Sequence, residues 1–388
     1  MSRRRRALIV GGSLGGLFAA HALLRRGWDV SVFERSAAGL SSRGAGIVTH
    51  PALFSALRSA GLDASAKIGV PVTRRVCFAQ SGVIVAERPH PQIVASWDQL
   101  FRLLRGALPD SAYRAGTPLS AFTSDGRVVS AQSGDTTSEV DLLVGADGLR
   151  STVRQLLAPT TAPIYAGYVA WRGLVDEAQL SAPGRDALME SFAFALPTGE
   201  QMLGYPVPGP DGDNRPGARR FNFVWYRPAP GAALDRLLTD AEGRVHRHGI
   251  APSAVRPEVV ATMRADAERL LPPVFREVVA AAAQPFLQPI FDLAAERLVF
   301  GRAVLIGDAA FVARPHVGMG VTKAAADAIS LADALDADDL ATWEAVRLAA
   351  GRAAVDRARS LGEAITSLPG KDTTQDTETV LEQTAVPV

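Results

Sequence analysis

The chain has 388 residues, 47% of them hydrophobic, and its 41 basic and 40 acidic side chains leave a formal charge of +1. That length and composition suit a soluble globular protein of two closely packed subdomains, while so balanced a charge lacks the field that nucleic acid or an anionic membrane surface would need. The one cysteine, Cys77, permits neither an internal disulfide nor a thiolate metal cage, so no metal site is expected and a reducing cytoplasm is.

Arg3 to Arg6 and the apolar run after them imitate a secretory signal, but four glycines interrupt that run, and no apolar stretch reaches the roughly 20 residues of a membrane span. Ala7 to Val10 predicts a short buried strand, a glycine-rich turn follows, then a helix to Arg26 stopped by Gly27, then an alternating strand from Asp29 to Glu34. Val72 to Glu87 alternates like strands, Trp97 to Leu108 reads as an amphipathic helix, and Val128 to Val144 as a hairpin turning at Gly134-Asp135. From Tyr165 to Phe291, proline-rich turns separate aromatic β-prone runs, which predicts an inserted antiparallel sheet. Ala303 to Ile306 returns to a buried strand, and Val321 to Leu335 and Ala341 to Leu368 are alanine-rich helices. The fold class is therefore α/β: a Rossmann-like dinucleotide-binding domain assembled from residues 1–71, 97–164 and 292–370, which include the C-terminal helices, an inserted antiparallel-sheet domain from residues 72–96 and 165–291, and a polar tail, 371–388, expected to be disordered.

The turn Gly11-Gly12-Ser13-Leu14-Gly15-Gly16 carries the first chemical signal. A glycine at Gly11 permits the sharp turn, one at Gly16 lets helix and strand approach, and the helix start offers free N–H groups and a positive dipole to a pyrophosphate. Serine replaces the usual middle glycine. The next strand ends at Glu34, placed to accept hydrogen bonds from ribose hydroxyls, and a carboxylate there favours FAD or NAD over a ribose-phosphorylated dinucleotide. Two later strands also run into glycine and aspartate, at Gly145-Ala146-Asp147-Gly148 and Gly307-Asp308-Ala309-Ala310; each alone is a common turn, and Asp147 could simply cap the helix starting near Ser151.

In this order and spacing the three segments resemble the flavoprotein aromatic hydroxylases typified by para-hydroxybenzoate hydroxylase, over about residues 7 to 350. The resemblance implies non-covalent FAD held through Gly11, Ser13, Leu14, Gly15, Gly16, Glu34 and Arg35, with Asp147 and Gly148 at the cofactor, Gly307 and Asp308 on its ribityl chain, Pro315, Gly318, Met319 and Gly320 against the flavin ring, and Arg43 and Gly44 beside it. It further implies NADH or NADPH as a transient co-substrate, oxygen activation as a flavin C4a-hydroperoxide, and hydroxylation of a small electron-rich aromatic or N-heteroaromatic compound. Trp97 and Phe311 stand where the family usually has arginine and histidine. With Ser13, Tyr165 to Gly173 and Arg314-Pro315-His316, they make the chain most similar to the 2,6-dihydroxypyridine 3-hydroxylase branch. A reductase on the same fold and a non-catalytic flavin-binding protein remain alternatives, as do monomer and homodimer.

A base that deprotonates a ring hydroxyl would suit this chemistry, and histidine titrates in the right range, so His316 and His50 are the catalytic candidates. Arg172, Tyr205, Asn222, Trp225 and Tyr226, all on the inserted sheet, are the candidates for substrate contact. Aromatics at strand spacing also build cores, so only some of them are expected to reach it.

Overall fold

A computed structural model describes residues 3–40, 46–63, 68–366 and 376–386. The first sheet has six strands, ordered Val299–Phe300, Ala303–Leu305, Leu142–Gly145, Arg6–Val10, Asp29–Glu34 and Tyr113–Ala115. All but the first run parallel. A parallel sheet covered on both faces demands uninterrupted apolar strands, and Ala7, Leu8, Ile9, Leu143 and Val144 are all sealed from solvent. The helix Leu14–Leu24 is buried nearly all round, because the long helix Gly320–Ala337 packs along it.

The second sheet has nine strands, ordered Phe311–Val312, Phe286–Ala294, Ile164–Asp176, Arg220–Pro228, Gln201–Val207, Ser191–Ala195, Gly69–Phe78, Ile84–Ser96 and Gly46–Val48. Alternation along its strands sorts side chains to two faces. Phe221, Phe223 and Trp225 pack with Trp171 and Phe275 on one face, against the helices Pro257–Leu270 and Pro273–Ala281. Tyr168, Phe192, Tyr205, Val224 and Tyr226 turn to the other.

Four departures from the sequence expectation have physical reasons. The second sheet takes its edge strand from Gly46–Val48 and starts its first long strand at Gly69, not Val72. Pro257 and Pro273 start helices inside the segment expected to be sheet, since proline is tolerated in a helix's first turn where its missing N–H has no partner to lose. Val129–Ser133 and Thr136–Val140 do pair as a hairpin, but with Ala121–Ser124 in a small sheet of their own, and Leu142–Gly145 leaves them for the parallel sheet. In the tail expected to be disordered, residues 376–386 are ordered, with a helix Thr377–Gln383 capped by Asp376 and anchored by Leu381, 1% exposed. A segment too polar to fold alone is fixed by docking.

Candidate active site

The parallel strands end on one line, and Val10, Phe33, Glu34, Ala146 and Ile306 at those ends wall a cleft of about 470 Å³. Such a crevice beyond the carboxyl ends of parallel strands is where open α/β sheets take ligands. Gly11, at φ +109°, leaves the Arg6–Val10 strand in a conformation closed to other residues, and a Cβ there would lie 2.3 Å from the Ala146 carbonyl oxygen. Gly16, expected among the cofactor contacts, is not on the wall: it lies against the Gly11 carbonyl, 1.8 Å from where its Cβ would stand, so its part is close packing. Ser13 is the N-cap of Leu14–Leu24 but spends no side-chain hydrogen bond on the cap, which leaves its hydroxyl for the cleft. Leu14, Gly15 and Arg35 line it as well.

Glu34 is 6% exposed, yet its carboxylate is on the wall. Its Oε2 accepts from the Gly12 N–H at 3.0 Å and its Oε1 from the Ser36 N–H at 2.8 Å. Carboxylate oxygens have lone pairs to spare beyond these two bonds. Asp147 lines the cleft and also helps cap the helix Thr152–Leu157, whose N-cap residue is Ser151. Its carboxylate accepts from Thr152 N–H at 2.7 Å, Val153 N–H at 3.2 Å and the Ser151 hydroxyl, while Gly148 completes the wall. Trp97 lies on the wall too, stacked on Phe101 at 4.9 Å.

Asp308 faces the cleft from a turn that buried charges hold from behind. The Gly307 N–H donates to Asp327 Oδ2 at 2.9 Å, Lys323 Nζ donates to the Gly307 carbonyl at 3.0 Å, and Arg347 donates to Asp327 Oδ1 at 2.7 Å. Arg154, 1% exposed, ties the Leu149 and Ala309 carbonyls together at 2.6 and 3.0 Å. Protein packed around Asp308 pushes its pKa up, with Lys323 opposing and Asp327 adding to the rise. These supporting charges were not foreseen. Lys323 and Asp327, four apart on the inner face of an alanine-rich helix, were the visible signal. Phe311, where the family usually has histidine, is 1% exposed and lies under Lys323 Nζ at 5.8 Å, a core residue.

Asp308, Gly320 and Val321 also line a second cavity, of about 240 Å³, so the two spaces meet there. The wall on the sheet side carries Arg172, Tyr205 and Tyr226 with Phe192 and Leu203; the opposite wall carries Pro315, Gly318 and Met319. Arg172 Nη1 donates to Gln288 Oε1 at 2.9 Å. Burial pushes the Tyr205 hydroxyl up to about 12 and Tyr226 higher still, the Arg172 charge pulling against both.

The remaining candidates lie elsewhere. Trp225 faces the opposite side of the sheet, fully buried under Arg227, because it is one residue out of phase with Val224 and Tyr226. Asn222 is beneath the wall: its Oδ1 accepts from the Gly46 N–H at 2.9 Å and holds the edge strand. Neither histidine reaches the cavity. His316 is 1% exposed, its Nε2 bonded to the Tyr168 hydroxyl at 2.8 Å, and burial together with the nearby Arg314 charge pulls its pKa down to about 3. His50 is 3% exposed and donates from Nε2 to the Gly318 carbonyl at 3.2 Å, its pKa lowered chiefly by burial. Both imidazoles hold the loop, and neither lines the cavity. Arg43 and Gly44 lie outside the described residues. Among the described residues no cluster of acids, histidines and cysteines could hold a metal, and no helix is long and apolar enough to cross a membrane.

A cleft with free helix N–H groups, an uncommitted serine hydroxyl and a far carboxylate fits a flavin dinucleotide, and the chain belongs to the FAD-dependent class A flavoprotein monooxygenases: residues 4–203 match the FAD binding domain family, and residues 165–292 the FAD binding domain-like family. It is 32% identical over 364 residues to 2,6-dihydroxypyridine 3-monooxygenase of Paenarthrobacter nicotinovorans, covering 92% of this chain and 90% of that protein. The solved 2,6-dihydroxypyridine-3-hydroxylase from Arthrobacter nicotinovorans matches with a TM-score of 0.88 and 31% identity over 96% of both chains. Klebsiella pneumoniae HpxO complexed with FAD and uric acid matches at 0.74 and 25% identity, over 95% of this chain and 90% of that one.

Proposed function

We propose that the enzyme uses NADH or NADPH and molecular oxygen to hydroxylate a small electron-rich aromatic or N-heteroaromatic ring bound in the 240 Å³ cavity. The observation that carries this is the polar corner of Arg172 and Gln288 beside Tyr205 and Tyr226, in a pocket that also has Arg314 and Thr384 among mainly apolar wall residues and opens at Asp308 and Gly320 onto the dinucleotide cleft. FAD, when bound, supplies hydride acceptance and oxygen activation; the rest is the chain's work. The start of Leu14–Leu24 with Ser13 holds the pyrophosphate, Glu34 the adenosine ribose, and Asp308 the linker where the two spaces meet.

Apart from Asp308, the second cavity's wall carries no carboxylate or imidazole among the described residues. Of the two arginines on that wall, Arg314 is committed to Asp292 at 2.9 Å, so Arg172 does the activating: its charge favours the ionised form of a ring hydroxyl and so raises the ring's electron density, without a side-chain base. Apolar walls keep water out, which strengthens that interaction. The similarity to 2,6-dihydroxypyridine 3-monooxygenase makes hydroxypyridines the first compounds to try.

The test is NAD(P)H oxidation by the FAD-loaded protein across hydroxypyridines and hydroxybenzoates, with Arg172→Met beside the wild type. A charge-assisted hydrogen bond is worth about 1.5 to 3 kcal/mol, so Arg172→Met should bind the active compound roughly 10- to 150-fold more weakly at unchanged FAD content. Equal affinity in the variant would remove Arg172 from the site, and a wild type that no compound stimulates would refute the substrate class.

A further inference from the structure

The sheet-side and loop-side walls of the second cavity leave a side that the last residues fill. Thr384 and Ala385 line it. Arg75, on the Gly69–Phe78 strand and 0% exposed, donates from Nη1 to the carbonyls of Leu381 at 2.8 Å and Thr384 at 2.7 Å. Its Nη2 reaches Gln92 Oε1 at 3.3 Å, and its guanidinium lies 5.4 Å from the ring of Phe192, itself a wall residue. No ion pair balances Arg75 among the described residues, so these oxygens stand in for the water that the cation has lost. From the other side, the Ala385 N–H donates to the His316 carbonyl at 2.7 Å. The Ala385 methyl stands only 3.1 Å from where a Cβ on Gly318 would be. Residues 381–385 thus bridge the substrate sheet and the flavin loop across the cavity.

We propose that Thr384 and Ala385 are specificity-determining wall residues of the substrate cavity and that Arg75 is the residue that positions them. This rests on that cavity holding the substrate. A larger side chain at Ala385 meets Gly318 or enters the cavity, since Gly318 is on its wall. Removing the segment opens the cavity and strands the buried Arg75 charge.

Four FAD-loaded proteins test it against the full chain: one ending at Gln375, Ala385→Leu, Arg75→Met, and Arg75→Lys as its conservative partner. Binding of 2,6-dihydroxypyridine is followed by the change in flavin absorbance, and flavin exposure by iodide quenching. The shortened chain and Ala385→Leu should keep wild-type FAD content and bind the probe at least tenfold more weakly, with KM raised more than kcat lowered. Arg75→Met should behave like the shortened chain, and Arg75→Lys should recover part of the affinity. The shortened chain should also be quenched at least twice as efficiently by iodide. Should it fail to fold, Ala385→Leu decides alone, and wild-type probe affinity in that variant overturns the proposal. A full chain that gives no response to any ring compound refutes the substrate reading instead, and iodide quenching then decides the wall: equal quenching in shortened and full chains overturns it.

Discussion

Replacing Glu34 by alanine removes a carboxylate with two duties. It pins the glycine turn through Gly12 N–H at 3.0 Å and the following loop through Ser36 N–H at 2.8 Å, and it presents lone pairs to the cleft, where the proposed reading puts the adenosine ribose. Losing the ribose hydrogen bond to a charged acceptor costs about 1.5 to 3 kcal/mol, which weakens FAD binding roughly 10- to 150-fold. Two backbone donors left without a partner add a cost to the folded state itself, about 1 to 3 kcal/mol for each that stays buried. The two effects separate experimentally: FAD titration of the apoprotein by fluorescence reads the first, and urea denaturation of the apoprotein reads the second. Glu34→Gln, which keeps one acceptor oxygen, should recover part of both. Substrate affinity at saturating FAD should not move, because Glu34 is absent from the second cavity. A folded Glu34→Ala protein with FAD affinity within twofold of wild type would refute the ribose assignment.

Asp308→Ala should lose FAD, or keep it while NAD(P)H oxidation runs uncoupled to hydrogen peroxide, since small misplacements at a reacting centre cost on the order of a hundredfold in rate; full coupling measured by oxygen and product stoichiometry would exclude Asp308 from the site. Tyr226→Phe should alter ring-compound affinity while Trp225→Phe should change thermal stability alone, a contrast read from substrate titrations on the two holoproteins. His316 stays neutral down to about pH 3 when folded and takes a proton near pH 6.5 when unfolded. The unfolded chain therefore gains the proton first as pH falls, so this contribution to stability is present above about pH 6.5 and drains away towards pH 3, at about 1.4 kcal/mol per pH unit. His316→Gln should flatten urea-denaturation stability between pH 6.5 and 5 relative to wild type, and parallel curves would show that His316 does not titrate on unfolding. Cys77, buried and with its thiol pushed up to about 11 by burial, should tolerate serine with FAD content and coupling intact, as the same assays report.

The cofactor half of the site was legible because its chemistry is local. A turn at φ +109°, a helix start and a strand ending in glutamate are all written within residues 6 to 34. Which residues line the second cavity depends on which face of the sheet each one takes. Arg172, Tyr205 and Tyr226 reach one wall from three strands. Parity in Phe221-Asn222-Phe223-Val224-Trp225-Tyr226 could have excluded Trp225, since a strand cannot send both 225 and 226 to the same side. For the histidines, a place just after the Gly46–Val48 strand (His50) or inside the Gly318 loop (His316) says nothing about direction. Both turn from the cavity, one to Tyr168 and one to the loop's own carbonyl. Nor could composition show that a polar C-terminal segment would be held by a buried arginine some 300 positions earlier.

The measurement that bears most directly on the central claim is isotope incorporation under single-enzyme conditions. The purified FAD-loaded chain, given NADH or NADPH, labelled oxygen gas and 2,6-dihydroxypyridine or a related hydroxylated ring, should release product with one labelled oxygen atom on the ring, and Arg172→Met should lower that yield with its FAD retained. Unlabelled product, or NAD(P)H oxidised to hydrogen peroxide with every ring compound and no hydroxylation, would contradict the account.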